Sequence, residues 1–222
     1  MKINYDLHFA GGDRMSREFE YIEKWLVDET GAFKKGIDVG CGTNRLSMEI
    51  LSLDQNENRK YAHADIVHNC ANLEISKEMM FNGRNYKFED DGLDFIFSSH
   101  CLEDFADIDL VFKNWWKKLK VDGLMILLLP DMEKCDCEIC QSEDQKKLRA
   151  VQGMTARYWT LEDFNSTGKG NPTHKVNVGK KFITTLLQGF KEKNEMDYEI
   201  LQMDTIPHNV SCSIDFVIKK LM

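Results

Sequence analysis

Three groups of residues in this chain could do chemistry by their type and spacing. The first is Gly36-Ile37-Asp38-Val39-Gly40-Cys41-Gly42-Thr43-Asn44, a short apolar strand that ends in an acidic residue and a Gly-x-Gly turn. Its two glycines remove the Cβ atoms that would keep a ligand off the backbone at the strand's carboxyl end. A helix predicted over Arg45 to Leu51 would aim unpaired N–H groups at the same place. A nucleotide-like cofactor suits such a turn. The second group is His100 and His174, whose imidazoles ionise near neutrality and could move a proton. The third is Cys135, Cys137 and Cys140, which could hold zinc if a fourth ligand such as His174 arrived from elsewhere. The two Cys-x-x-Cys pairs of a structural zinc site are absent, so an ordinary cysteine-bearing loop is the weightier reading and no metal is expected.

The turn itself narrows the cofactor. A dinucleotide fingerprint needs a third glycine where this chain has Arg45, and no Gly-x-x-x-x-Gly-Lys-Ser/Thr phosphate loop exists in the sequence. Arg45 therefore disfavours a nicotinamide-dependent oxidoreductase.

The elements that must position these residues follow from hydrophobic periodicity. Phe19, Ile22, Trp25 and Leu26 fall at helical spacing within Arg14 to Glu29, ahead of the glycine-bearing strand. Tyr61 to Val67 is a second strand candidate, after a polar connection from Asp54 to Lys60, and the stretch from His68 to Asp91 has no clear pattern. Leu93 to Ser99 reads as a buried strand, and Asp107 to Leu119 as a helix with Ile108, Val111, Phe112, Trp115 and Leu119 on one face. After a turn at Val121-Asp122-Gly123, Leu124 to Leu129 is a continuous apolar run of the kind found in sheets covered on both faces. Thr160-Leu161-Glu162-Asp163 resembles a helix start, and a second helical stripe runs from Val178 to Phe190. Two closing strands, Tyr198 to Met203 and Ser213 to Lys219, end the chain. Alternating strands and helices followed by two adjacent strands predict an open, mostly parallel α/β sheet with a terminal hairpin.

Bulk properties fit a single domain of 222 residues with 42% hydrophobic and 30% charged residues. The formal net charge of −8 argues against broad binding to nucleic acid, which rests on phosphate neutralisation. No apolar run approaches the about 18 residues of a membrane span, and the polar N-terminus lacks a signal-peptide core. A cytoplasmic location, no membrane association and no disulfide framework are expected.

Three blocks, in order, resemble the class I S-adenosylmethionine (SAM) methyltransferases. They are Asp38-Val39-Gly40-Cys41-Gly42, then Leu93-Asp94-Phe95-Ile96-Phe97-Ser98-Ser99-His100-Cys101-Leu102-Glu103-Asp104, then Trp115-Trp116-Lys117-Lys118-Leu119-Lys120-Val121-Asp122-Gly123-Leu124. The second is similar to the family pattern D-x-[IV]-x-S-x-x-[VL]-L-E-H, with Asp104 in the place of its histidine. The resemblance implies a Rossmann-like, doubly wound, mostly parallel seven-stranded sheet with a C-terminal antiparallel hairpin, SAM as donor and S-adenosylhomocysteine as product. Carried over by position, it places Asp38, Gly40, Cys41 and Gly42 on the methionine side, with Asn44 nearby. Asp65, near the end of the second strand, would accept from the ribose hydroxyls. Ser98, Ser99 and His100 would stand at the pocket mouth. His100 and His174 are candidate bases, the latter in an Asn-Pro-x-His segment similar to one that several relatives carry over the active site. For each, a packing or turn role stands as the alternative.

The expected organisation is one methyltransferase domain over residues 1–222. An arm and helix (1–30) lead to a SAM-binding half (31–130), a substrate-recognition insertion (131–181), and a closing helix and hairpin (182–222). The expected function is methyl transfer to a small-molecule or glycan-type acceptor. The alternative is a non-catalytic methyltransferase-like domain that serves a protein partner. The resemblance also argues against two acceptor classes. The Asn/Asp-Pro-Pro-Tyr/Phe of exocyclic-amine and glutamine methylation is replaced by Ser98-Ser99-His100-Cys101, and no Pro-Cys nucleophile of cytosine-C5 enzymes occurs.

Overall fold

The computed structural model describes residues 22–58, 62–130, 175–176, 178–207 and 212–222. Residues 22–26 form helix α1. The strands are β1 (Gly36–Val39), β2 (Leu51–Asp54), β3 (Ile66–Val67), β4 (Met79–Phe81), β5 (Arg84–Tyr86), β6 (Leu93–Ser99), β7 (Leu119–Pro130), β8 (Tyr198–Pro207) and β9 (Cys212–Lys220). Helix α2 spans Ile108–Lys118 and helix α3 spans Lys180–Glu192. The principal sheet is seven-stranded in the order β3-β2-β1-β6-β7-β9-β8. Strands β3 to β7 along that order are parallel, and β9 runs antiparallel between β7 and β8. This is the expected doubly wound sheet with its terminal hairpin.

The apolar run of β7 resolves into two faces. Met125, Leu127 and Leu129 join a core with Phe112, Trp115, Ile183, Leu187 and Phe190 of α2 and α3. Leu124, Ile126 and Leu128 face the other way, onto Ile22, Leu26, Leu46, Ile50, Phe95 and Phe97. Helix α2 starts where Asp107 accepts a hydrogen bond from the Leu110 amide at 3.0 Å, which caps one of the free N–H groups of its first turn.

The chain steps from β1 out to β2 and β3, then returns to place β6 on the other side of β1, where Ile37 pairs with Leu51 on one flank and Ile96 on the other. That reversal makes the carboxyl ends of β1 and β6 the switch point of the sheet, the place where such sheets bind ligands.

The structure corrects the sequence reading in three places. Residues 40–50 contain turns and no helix, so the helix predicted over Arg45 to Leu51 does not form. Leu46 and Ile50, whose spacing suggested it, are buried from a loop instead. The Asp38 carboxylate captures the Leu46 amide at 2.7 Å, and the Arg45 guanidinium spans the loop to Ile50 O at 2.9 Å, so these groups are satisfied without helical bonds. Second, the strand following β1 is Leu51–Asp54, within and before the segment read as a polar connection, and only Ile66–Val67 of the Tyr61 to Val67 candidate is strand. Third, the unassigned stretch holds the β4–β5 hairpin, turned at Asn82 and Gly83 with φ of 47° and 74°. An Asn-Gly pair accepts those angles at little cost.

Helix α3 begins at Lys180, just ahead of the expected boundary between residues 181 and 182. Cys135, Cys137, Cys140, the Thr160 to Asp163 helix start and His174 lie outside the described residues. Among the described residues no helix is long and apolar enough to cross a membrane, and no cluster of three or more His, Cys, Asp or Glu side chains could hold a metal.

Candidate active site

The glycine turn is built by backbone that only glycine adopts readily. Gly40 and Gly42 have φ of 74° and 52°. A Cβ on Gly40 would collide with the Cys101 side chain, so β1 and the end of β6 approach too closely for any other residue. The amides of Gly40 and Cys41 both bond to Leu53 O, at 2.8 and 3.2 Å, which ties the turn to β2. Cys41 is buried, and that burial, with the Asp38 and Asp54 carboxylates adding to it, pushes its thiol up to about 12. It is therefore a packing group and not a nucleophile. Asn44 is exposed at the rim, its amide bonded to Cys41 O at 3.1 Å.

Two carboxylates compete for the position beside this turn. Asp54 closes β2, and its Oδ2 accepts the Gly42 amide at 2.9 Å while Oδ1 accepts the Asn56 amide at 2.8 Å. Asp65 stands just before β3 and not at the end of the second strand. Its Oδ1 and Oδ2 accept Arg45 Nη1 and Nη2 at 3.2 and 2.7 Å, and Oδ2 also accepts the Ser52 amide and hydroxyl, each at 3.0 Å. Asp65 braces the loop. Asp54 faces the glycines.

At the end of β6 the expected residues divide. Ser98 is buried and its hydroxyl donates to Val39 O at 3.0 Å, locking β6 to β1. Ser99 is half-buried and pairs with Leu128 of β7. His100 leaves the strand at φ 52°. Its Nε2 lies 3.1 Å from Ser213 Oγ and its Nδ1 lies 3.4 Å from Glu103 Oε1. The Glu103 carbonyl accepts the amides of Lys175 and Val176 at 2.8 and 3.2 Å, so the chain just beyond His174 is fastened to this corner.

Sequence reasoning missed Asp54, Glu103 and Ser213. Leu51-Ser52-Leu53-Asp54 has the alternation of a strand and offered a signal for the first. Glu103 stood within the quoted D-x-[IV]-x-S-x-x-[VL]-L-E-H block without a role. Nothing local points from Ser213 to a histidine so far back in the chain.

Residues 12–173 match the methyltransferase domain family. The chain belongs to that family. Over 104 residues this methyltransferase domain is 24% identical to phosphoethanolamine N-methyltransferase 2 of Caenorhabditis elegans, a stretch that covers 47% of the chain and 20% of that protein. The chain thus spans about a fifth of the length of the curated relative it matches. Its fold is shared with magnesium protoporphyrin IX methyltransferase from Synechocystis, solved with bound S-adenosylhomocysteine, at a TM-score of 0.51 and 11% identity, covering 93% of this chain and 84% of that one. A SAM-dependent methyltransferase from Archaeoglobus fulgidus aligns with a TM-score of 0.51 and 16% identity, over 93% and 92% of the two chains. Those two solved proteins are SAM-dependent or hold its product, and the described residues here can be set against such a group. The turn is glycine backbone at positive φ, and a carboxylate stands beside it at the end of β2.

Asp38, beneath the turn, gives the domain a measurable pH signature. Burial pushes its carboxyl up from 3.8 to about 7, with the Leu46 amide and Arg45 pulling down and Asp54 and Asp65 adding to the rise. Between those two values the folded chain keeps a proton that the unfolded chain has released, so this group's contribution to stability falls as pH rises through that window. In Asp38→Asn the amide oxygen still accepts from Leu46, and the charge is gone. We expect the melting temperature of wild type to fall more from pH 5 to 7.5 than that of the variant; parallel curves would refute the assignment.

Proposed function

We propose that the chain transfers the methyl group of SAM to a small-molecule or glycan-type acceptor at the switch point beyond the carboxyl ends of β1 and β6. The observation that carries this reading is the glycine turn itself: Gly40 and Gly42 at positive φ, with Asp54 bonded to Gly42 on one flank and Cys101, next to His100, packed on Gly40 on the other. SAM supplies a methyl group already activated on a sulfonium. What remains for the chain is to hold donor and acceptor in line, and to take a proton where the acceptor carries one.

The roles divide as follows. Gly40, Cys41 and Gly42 carry the methionine end on their backbone, with Asp38 anchoring the turn from below and Asn44 at the rim. Asp54 takes the ribose hydroxyls in place of Asp65, because each Asp54 oxygen accepts one amide and keeps a second acceptor site, whereas Asp65 Oδ2 already accepts from Arg45 and twice from Ser52. Ser98 holds β6 against the turn, and Ser99 and His100 edge the pocket. Lys175 and Val176, at the described end of the expected insertion, bond to the Glu103 carbonyl beside His100. Phosphoethanolamine and magnesium protoporphyrin IX, the acceptors named for the relatives, are small molecules, and the net charge of −8 opposes a nucleic acid.

Calorimetric titration with S-adenosylhomocysteine tests the cofactor assignment, and labelled SAM offered with candidate acceptors then tests transfer. Wild type should bind in the micromolar range. Asp54→Ala should weaken binding about 10- to 100-fold, since each hydrogen bond to a charged group contributes about 1.5–3 kcal/mol. Asp65→Ala should cost stability more than affinity. Equal affinity losses in the two variants would overturn the choice of Asp54. Folded wild type that binds neither SAM nor its product would favour the non-catalytic, partner-serving alternative.

A further inference from the structure

The corner at the end of β6 holds an arrangement that cofactor binding does not use. His100 adopts φ 52°, a region that residues with a Cβ enter rarely and that recurs at functional sites. Its backbone is pinned by a 2.8 Å bond from its amide to Leu128 O. In that posture both ring nitrogens face a defined group: Nδ1 the Glu103 carboxylate at 3.4 Å, and Nε2 the Ser213 hydroxyl at 3.1 Å. Glu103 and Ser213 are fully buried, whereas the His100 side chain is 22% exposed, so the imidazole is the member of the three that meets open space. Glu103 is itself fixed, within the 3-10 turn Leu102–Asp104 and by the Lys175 and Val176 amides on its carbonyl.

We propose that His100 takes the proton of the methyl acceptor, and that Glu103 and Ser213 are its positioning residues. This rests on the methyltransferase reading above and deepens it, because it defines the acceptor as one bearing a removable proton on oxygen or nitrogen. The negative charge of a carboxylate beside Nδ1 favours the neutral tautomer that carries its proton on that nitrogen, and this tautomer leaves the lone pair on Nε2. The Ser213 hydroxyl can donate to that lone pair and hold the ring plane until the acceptor's O–H or N–H replaces it. In the transfer the acceptor heteroatom bonds to the methyl carbon as the carbon–sulfur bond breaks with its electron pair left on sulfur, and the acceptor's proton passes to Nε2. The imidazolium then returns the proton to water. Tertiary amines and thioethers need no such step.

The other ionisable groups near the ring, among the described residues, do not compete for this role. On its own turn stand Asp104 and Cys101, and the Cys70 contact together with burial holds the Cys101 thiol well above its ordinary value. Across on β9, two residues from Ser213, the Asp215 carboxylate accepts from Gln202 and from the Asp204 amide. From the segment tied to Glu103 comes Lys175, and β7 contributes the apolar Leu128.

Histidine ring-nitrogen NMR on 15N-labelled protein tests the assignment without an acceptor in hand, with the His100 signals identified from a His100→Gln sample. We expect the Nδ1-protonated tautomer in wild type, and a lower His100 midpoint in Glu103→Gln, whose neutral amide no longer attracts the charged ring. Ser213→Ala should keep the tautomer and shift only the Nε2 resonance. S-adenosylhomocysteine affinity, titrated on the same samples, should stay within about twofold of wild type, because neither residue is assigned to the cofactor. An Nε2-protonated ring in wild type, or an unmoved midpoint in Glu103→Gln, would overturn the proposal. If Glu103→Gln does not fold, the wild-type tautomer and Ser213→Ala decide it. Loss of cofactor binding in wild type, with the tautomer as expected, would instead bring down the methyltransferase reading and this role with it.

Discussion

Gly40→Val should lose about 100-fold or more in S-adenosylhomocysteine affinity while the sheet stays assembled. The reason is geometric. A left-handed φ of 74° costs a residue with a Cβ about 1–2 kcal/mol. The new Cβ would also lie 2.6 Å from the Cys101 Cβ, whose position is set by backbone and cannot swing aside. The turn must therefore move off β6, and since a misplacement of about 1 Å can cost about a hundredfold in catalytic rate, a loss of that order is expected here for the ligand. Circular dichroism confirms folding, and calorimetry reads the affinity. Pairing Gly40→Ala with Cys101→Gly removes the collision but not the φ cost, so the double variant should recover part of the loss. Wild-type affinity in Gly40→Val would dismiss the turn as the cofactor's seat.

The largest expected effect on stability is at Trp115. Its side chain is fully buried, its Nε1 donates to Cys70 O at 2.8 Å, and Phe105 meets it edge-on at 6.3 Å between ring centroids. Trp115→Ala should cost about 3–5 kcal/mol, the usual range for truncating a large aromatic in a core. The Cys70 carbonyl loses its partner as well, for about 1 kcal/mol more. Against a total stability of about 5–15 kcal/mol this is a large share, and at about 2–4 °C per kcal/mol the melting temperature should fall by about 10–15 °C. Thermal melts check it. A shift under about 3 °C would mean that the core around α2 is packed otherwise than described.

Where the sequence carried its own signal, the elements were legible. The run Leu93 to Ser99 is β6 to the residue, and the stripe from Ile108 to Trp115 is the buried face of α2 with Asp107 as its cap. The switch point follows from the order of strands. What escaped depended on partners far away in the chain. Leu46 and Ile50 have helical spacing, and only the capture of the Leu46 amide by Asp38 and the fork of Arg45 onto Asp65 show why no helix forms. The same displacement moved the acidic strand end from Asp65 to Asp54. The Asn82-Gly83 turn, by contrast, was a local signal that the surrounding polar residues obscured. Ser213 reaches His100 across 113 positions of sequence, through the pairing of β9 with β7, and no spacing rule connects them.

The connection from β1 to β2 joins two parallel strands by turns alone. A helix there would break its hydrogen bonds cooperatively, but bonds such as Gly42 to Asp54 and Leu46 to Asp38 can open one at a time. Amide exchange over residues 42–50 should therefore need little free energy, while β6 and β7 release their protons only when the whole domain opens. A ligand that settles on the closed loop alone adds about 2.7 kcal/mol to its closure at a hundredfold excess over its Kd. A cofactor seated there would in this sense be part of the local architecture, and each product that left would take some of the order of that edge with it.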